Sequence, residues 1–336
     1  MVSFPPLSTA LRKLPESRVS RLLLTHVVEH SRWHGLTYND VGFPMFITFM
    51  GASFAVVAHA REERGEARAL IARSVLQRFV ALFVIAFFVH GGFSTWPTLR
   101  ILDGVLYRLG LCYLATGLVV LYLKRAWWKY LVLALLAAHW LTFVADGRAD
   151  PYSRGANVST ALDLAILGKT PAEGLLGTIP AIASCILGAE LGAFLLRVPA
   201  ARQAVRLAAG AVLFGAAGLL WALWFPINKH LWTGTYVLVT SGAILAHLAF
   251  FALVLERRPR AFSLLRMLGA HSLAAFVGLR VLDLNLFARL FIGTNTQWRG
   301  HRPLVEAFAT MAVSVLALYG WHRATLRVTE KDRRTT

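Results

Sequence analysis

The sequence predicts an all-α, polytopic membrane protein, a transmembrane helix bundle of about nine spans. Three observations predict this class. Hydrophobic residues make up 57% of the 336 residues and charged residues only 15%, too apolar a balance to surround one water-soluble core. Apolar stretches of about 20 residues, long enough to cross a bilayer as helices, recur along the chain. They do not alternate apolar and polar positions as a membrane strand would.

The apolar runs also locate the predicted spans, with boundaries good to several residues. The spans lie at 41–60, 74–91, 104–123, 130–145, 174–196, 207–225, 234–255, 261–282 and 304–321. A long connection at 146–173 contains the run Val158–Leu167, which we expect to form a short interfacial helix. The chain then divides into a basic N-terminal segment with a polar loop (1–40), the membrane domain (41–321) and a basic tail (322–336).

Basic residues distinguish the two sides of the membrane. The formal net charge is +18, but Lys and Arg stand in short clusters between apolar runs rather than on one basic face, which argues against nucleic acid binding. One alternate set of connections holds 19 Lys and Arg, and the other holds 9. Because cytoplasmic loops carry the positive excess, we place the first set and the C-terminus in the cytoplasm. This predicts a multi-pass protein of the cytoplasmic (inner) membrane.

The N-terminal segment conflicts with this topology. It would lie outside, although it carries Arg12, Lys13 and Arg18, which are typical of a cytoplasmic segment. Its apolar stretch, residues 22–28, is too short to cross a bilayer. We therefore expect that a first span is missing or degenerate in this chain.

The cysteines and histidines do not form a recognisable metal motif. Cys112 and Cys185 both fall inside apolar runs, so we expect them to pack as small apolar residues rather than to form a disulfide or a thiolate site. A zinc site usually needs three or four ligands, and neither an H-E-x-x-H motif nor a cysteine pair completes one. No metal is predicted.

The most concentrated polar cluster, residues 29–40, precedes the first predicted span and contains His30, His34 and Asp40. Histidine moves protons or carries an acyl group near neutral pH, and a nearby carboxylate can hold one ring tautomer in place. Either histidine suits this chemistry on these grounds alone. A structural interpretation also fits, because interfacial His and Trp anchor membranes and Thr37 with Asp40 matches a capping box.

A second polar group, residues 226–233, contains Asn228, Lys229 and Trp232. An indole can stack on a sugar ring, while an amide or an ammonium group can hydrogen-bond to its hydroxyl or carboxylate groups. An aromatic belt with a capped helix start explains the same residues about as well.

Placing a charged residue inside a bilayer costs free energy, so the charged residues inside predicted spans are candidates for a functional role. Arg78 and Arg108 lie near span ends, where their side chains can snorkel to the interface. Glu190 lies about two turns inside its span, so it belongs either to a proton pathway or to a helix-packing ion pair. We favour the ion pair.

Several runs together resemble one family, the transmembrane acyltransferases related to heparan-alpha-glucosaminide N-acetyltransferase. Residues 30–44 are similar to the family's H-x-x-W-x-G-x-T-x-x-D-x-x-F-P signature. Residues 104–114 resemble its G-V-L-x-R-x-x-x-C-Y-L run, and residues 173–182 and 226–233 match two further blocks. Each block is weak alone, but four blocks in order are quite specific.

The resemblance implies transfer of an acetyl group from cytosolic acetyl-CoA, as co-substrate, to an amino sugar or glycan at the outer face of the lipid membrane. The histidine three residues before the Trp, His30, would accept the acetyl group or activate the acceptor amine. Asp40 would orient His30 or cap the helix. The implied acceptor-binding residues are Asn228, Lys229, Trp232, Trp33, His34 and Arg108, and the implied phosphate-binding residues are Arg73, Arg78 and Arg125.

One departure from the family pattern agrees with the expected loss of a first span. The family's first helix carries a short acidic and Arg-Gly motif and ends in an asparagine near the active site, and nothing in residues 1–29 matches either feature. Two other functional classes stay open: a transporter or flippase that performs no covalent chemistry, and an inactive homologue that binds no CoA. A homodimer is compatible with all three.

Overall fold

The computed structural model describes residues 29–89, 104–171 and 174–257, together with the single positions 93, 102, 269 and 319. Residues 30–253 form one compact unit that holds every site described below. A second unit, residues 2–29 and 254–336, lies almost wholly outside the described residues. The predicted spans at 261–282 and 304–321, the basic tail and the expected loss of a first span also lie outside them.

The described part of the chain is all α-helical, as predicted. Its eight α-helices are α1 (Gly42–Glu63), α2 (Arg68–Val89), α3 (Val105–Tyr122), α4 (Trp128–Val144), α5 (Val158–Leu167), α6 (Thr178–Arg197), α7 (Ala200–Trp221) and α8 (Gly234–Arg257). All except α5 are long and apolar enough to cross a membrane, and they correspond to the first seven predicted spans. The predicted short helix forms as α5. Single 3₁₀ turns lead into α1, α4 and α6.

Successive spans run up and down, so their connections gather at two ends. We call the end that carries residues 64–67, 123–127 and 198–199 the basic end, and the end that carries residues 29–41 and 222–233 the His30 end. The direction of α1 and α6 is the same, because both begin at the His30 end. More than half of the apolar stretch of α1, α3 and α6 is buried, whereas α7 exposes most of its surface.

Glycines allow the two central helices, α1 and α6, to approach backbone to backbone. A Cβ atom added at Gly188 would overlap the carbonyl oxygen of Thr48, and one at Gly192 would overlap that of Ala52. Gly51 in α1 makes the reciprocal approach to the backbone of α6. Small residues commonly allow close helix packing in membranes, where burial of apolar surface between helices supplies little driving force. Gly188 and Gly192 are four residues apart, so they lie on the same face of α6, the face that contacts α1.

The start of α2 differs from the prediction. The helix begins at Arg68 rather than at residue 74, because Arg68 and Arg73 can extend into water while the helix continues. Arg78 consequently lies about 15 Å along the helix from its first residue. Its guanidinium donates a hydrogen bond to the Tyr113 hydroxyl at 3.0 Å, which gives the charge a partner at that depth.

Candidate functional site

Asp40 organises the start of α1. It is fully buried in the 3₁₀ turn Tyr38–Val41, where its Oδ2 accepts hydrogen bonds from the Thr37 amide (3.0 Å) and hydroxyl (2.9 Å). The Ser31 amide donates to the same oxygen at 3.0 Å. These three donors and the helix start favour the ionised carboxylate. The predicted capping box is therefore present.

The other carboxylate oxygen of Asp40 holds His30. His30 Nδ1 lies 2.7 Å from Asp40 Oδ1, the distance of a charge-assisted hydrogen bond in which Nδ1–H donates. This tautomer leaves the lone pair on Nε2, which lies 3.4 Å from the Asn39 side-chain amide. The His30 side chain is 26% exposed, so a reactant can reach it. Asp40 thus caps the helix and also orients the histidine, and the two roles proposed for it coexist.

Lys229 comes from the 226–233 turn to complete a three-residue cluster. Its Nζ lies 3.3 Å from Asp40 Oδ1 and 3.1 Å from His30 Nδ1, and the side chain is almost fully buried. A protonated Nδ1 cannot accept a hydrogen bond from the ammonium group, so Asp40 is the favourable partner of Lys229. The cation offsets the carboxylate charge beside His30. In the tautomer with the proton on Nδ1, Nε2 can act as a base or a nucleophile.

Asn228 shapes the turn that delivers Lys229. It is fully buried, and its Oδ1 accepts a hydrogen bond from the Leu231 amide at 2.9 Å. The Gly35 amide donates to the Ile227 carbonyl at 2.8 Å, which joins the turn to the His30 loop. From α8, the Tyr236 hydroxyl donates to the Asp40 carbonyl at 2.6 Å. Two segments almost 200 residues apart are therefore fixed to each other around His30.

Trp232 and Arg108 lie beneath the site. Trp232 is fully buried and adopts a left-handed backbone conformation (φ 52°), which is costly for a bulky residue. The Arg108 guanidinium lies 5.0 Å from the Trp232 ring and donates to the Gly174 carbonyl at 2.7 Å. Phe43 and Tyr236 pack edge-on against the same ring. In this conformation the Trp232 ring is a packing element with no free face for a sugar.

Trp33 and His34 are the acceptor-site candidates nearest to solvent. Trp33 stacks on His230 with ring centroids 5.2 Å apart, and its Nε1–H donates to the Tyr152 carbonyl at 2.9 Å. His34 is exposed, and its Nδ1 lies 3.4 Å from the Asn228 amide nitrogen. Partial desolvation lowers the pKa of His34 below its ordinary value, although the charge of Asp150 acts in the opposite direction.

A cavity of about 390 Å³ opens at the basic end between α1, α3 and α6. Its lining includes one carboxylate and five basic side chains: Glu62, His59, Arg68, Lys124, Arg125 and Arg197. Arg125 is one of the three phosphate-binding candidates predicted from the sequence. Of the other two, Arg78 lines a separate cavity of about 140 Å³, and Arg73 is an exposed residue of α2.

Glu190 is paired with Arg125 at the edge of the 390 Å³ cavity. Arg125 Nη2 lies 2.7 Å from Glu190 Oε2, and its Nε–H donates to the same oxygen at 2.9 Å. The ion pair links α6 to the turn before α4, as the favoured interpretation of Glu190 required. The pair also removes the best support for a proton pathway through this residue.

Sequence reasoning missed several contacts that build the site. Tyr236 carries no local signal, because its partner Asp40 is 196 residues away. Arg68 belongs to a basic cluster that the positive-inside bias already explains, and His59 falls inside the first predicted span, so the sequence did not show that both converge with Lys124 on one cavity. Within the described residues, no group of three or more His, Cys, Asp or Glu side chains could hold a metal ion.

The fold and site define a class: a helical membrane protein in which a buried carboxylate orients a partly exposed histidine at one end of the bundle. No family model matches the chain. It is similar to heparan-alpha-glucosaminide N-acetyltransferase from Mus musculus, at 24% identity over 68% of this chain, and to the Homo sapiens protein, at 23% over 67%. The match covers 44% and 43% of those proteins, so the chain spans less than half of their length. The resemblance is confirmed as a distant relationship to these proteins.

Proposed function

We propose that this chain is a membrane acyltransferase that moves an acetyl group from acetyl-CoA to the amino group of a sugar or glycan at the His30 end. The observation that carries the proposal is the hydrogen bond between His30 and Asp40, which fixes the imidazole and leaves Nε2 with its lone pair. The distant relationship to two N-acetyltransferases supports the reaction type. The donor and the acceptor belong to the proposal.

Two routes use the same geometry. In the first, His30 Nε2 attacks the thioester carbonyl, an N–C bond forms, the C–S bond breaks, and CoA leaves as a thiolate. The acceptor amine then attacks the acetyl-imidazole, the N–C bond breaks, and the amine proton passes to the released Nε2. In the second, Nε2 removes the amine proton while the amine attacks the thioester directly, so the new N–C bond forms, the C–S bond breaks, and the imidazolium returns the proton to the departing CoA thiolate. In both routes Asp40 stabilises the positive charge that develops on the ring.

We assign the CoA phosphates to the 390 Å³ cavity at the basic end. Lys124 and Arg197 line it together with Arg125, which is paired with Glu190, and guanidinium and ammonium groups are good phosphate ligands. Ala55 is the residue of α1 in this lining that lies nearest to the His30 end, about 22 Å along the helix from Asp40. The acyl-bearing arm of CoA must therefore extend into the bundle. Arg73 and Arg78 remain weaker candidates because they lie outside this cavity.

We assign acceptor contacts to Trp33 and His34, which lie beside His30 and towards solvent. Asn228, Arg108 and Trp232 are buried, and we propose that they support the site from below rather than contact the sugar. Lys229 faces the His30–Asp40 pair, so we assign it to neutralising the buried carboxylate of Asp40. With the basic end in the cytoplasm of a multi-pass inner-membrane protein, the acceptor lies on the outer face.

The proposal is tested by acetyl transfer from labelled acetyl-CoA to glucosamine in membranes that contain the protein. The wild-type chain should label glucosamine, and His30→Ala should abolish the label. His247→Ala is a matched control, because His247 lies in α8 and contacts Tyr38 rather than Asp40. Substrate flux without thioester cleavage would favour a transporter, and absence of both CoA binding and transfer would favour an inactive homologue.

A further inference from the structure

An apolar groove of about 280 Å³ lies between α1, α6, α7 and α8, away from the His30 site. Its walls are apolar side chains, among them Leu191, Phe194, Leu207, Phe214 and Leu245. Arg125 lines both this groove and the 390 Å³ cavity, and its partner Glu190 lines the groove. The groove contains none of the residues that contact His30.

The dimensions of the groove fit one leaflet of a bilayer. Its lining on α7 runs from Arg206 to Phe214, about 12 Å along the helix. Half of a hydrocarbon core is about 15 Å. On α7 the groove therefore begins about 9 Å from the helix start at the basic end and covers most of the length that an acyl chain spans in one leaflet.

The mouth of the groove is positive. Arg206 is exposed there and has no ion-pair partner among the residues that the structure describes. The charge of Arg125, the other cation in the lining, is compensated by Glu190. The groove also borders lipid, because α7 exposes apolar side chains such as Val205, Val212 and Leu213.

We infer that this groove binds one acyl chain of an anionic phospholipid from the leaflet at the basic end, with the lipid phosphate at Arg206. A free phosphate would not use the apolar walls. An acyl chain under a phosphate matches the shape, the polarity and the charge of the site.

The test measures lipid binding, so its outcome does not depend on the proposed acetyl transfer. The full chain in detergent is titrated with phosphatidylglycerol and with phosphatidylcholine of the same acyl chains, and bound lipid is counted by native mass spectrometry. We expect tighter binding of phosphatidylglycerol and a loss of about 5-fold in its affinity on Arg206→Gln, since one cation near the lipid surface contributes roughly that factor. Arg202→Gln is the matched control, because Arg202 is exposed on α7 one turn away but outside the groove.

A second variant, Gly210→Leu, tests whether the apolar walls of the groove hold the acyl chain. Gly210 lines the groove, and a Cβ atom there would lie 3.1 Å from the nearest methyl of Leu245, so Gly210→Leu should fill the space and displace the acyl chain. Equal affinity for the two lipids, equal effects of Arg206→Gln and Arg202→Gln, or unchanged binding in folded Gly210→Leu would each overturn the inference. Competition by inorganic phosphate at the same concentration as the lipid would overturn it too. Arg206→Gln alters no packed residue, so the inference stays testable if Gly210→Leu does not fold.

Discussion

At the scale of single residues, two charged side chains and one imidazole ring decide what the His30 end can do. Asp40 is held by three donors on one oxygen and contacts both His30 and Lys229 with the other. Asp40 sets the tautomer of His30 by accepting a hydrogen bond from Nδ1, and Lys229 supplies a cation beside the same carboxylate oxygen.

Asp40→Asn keeps the size of the side chain beside His30 but should change the tautomer of the ring. An asparagine amide that donates to Nδ1 would move the ring proton to Nε2 and remove the reactive lone pair. We expect transfer from acetyl-CoA to fall by roughly 100-fold or more. The measurement is kcat in folded, purified protein. Thr37→Val is the comparison, because it removes one hydrogen bond to Oδ2 and should lower stability much more than kcat; a normal kcat in Asp40→Asn would contradict the role given to Asp40.

Lys229→Met should destabilise the His30 end. The substitution leaves the buried Asp40 carboxylate without the cation that lies 3.3 Å from its Oδ1, and loss of one partner of a buried ion pair typically costs about 3–5 kcal/mol. We expect a clearly lower Tm in purified protein. Lys229→Arg keeps the charge and should keep most of the Tm. An unchanged Tm in Lys229→Met would contradict the ion pair with Asp40.

At the scale of helices, apolar length and small residues explain most of the architecture. The seven spans between residues 41 and 255 were predictable because a bilayer demands uninterrupted apolar helices of a minimum length. The start of α2 was not predictable, because a helix can continue past the membrane surface with Arg68 and Arg73 in water. The capping box of Thr37 and Asp40 is local, so the sequence pattern predicted it. The contact of Tyr236 with Asp40 depends on how α8 packs near α1, which the sequence pattern does not give.

Gly188→Ala tests the closest helix contact. The added methyl group would overlap the carbonyl oxygen of Thr48, so α1 and α6 must move apart or bend. Overpacking of this kind typically costs about 1–3 kcal/mol, and we expect a clearly lower Tm. Gly215→Ala is the matched control, because a Cβ atom there meets nothing within 4 Å. Equal Tm values for both variants would show that the α1–α6 contact tolerates separation.

At the scale of the whole molecule, the charge pattern and the site position together define a sided protein. The basic cavity and the His30 cluster lie at opposite ends of the same central helices. A donor that binds at one end and an acceptor that arrives at the other would never need to share an entrance. This separation is the geometry that a reaction across a membrane requires.

Sidedness can be measured with single cysteines. Cys112 and Cys185 are both fully buried, so a membrane-impermeant maleimide should not label the unaltered protein strongly. Arg64→Cys at the basic end and Arg154→Cys in the connection before α5 place exposed thiols at the two ends. In sealed vesicles of known orientation, we expect label at position 154 from the outer side and at position 64 from the cytoplasmic side. Label at both positions from one side would refute the topology.

The contacts between Asp40, Lys229 and Tyr236 also have a consequence for biogenesis. His30 and Asp40 are synthesised early, but Lys229 and Tyr236 emerge only after six of the described spans have been made. A nascent chain that has inserted only its first spans carries the histidine without the cation beside it. The proposed reactive centre is therefore completed late during translation, and a truncated product that remains in the membrane would keep the histidine but lack Lys229 and Tyr236 beside it.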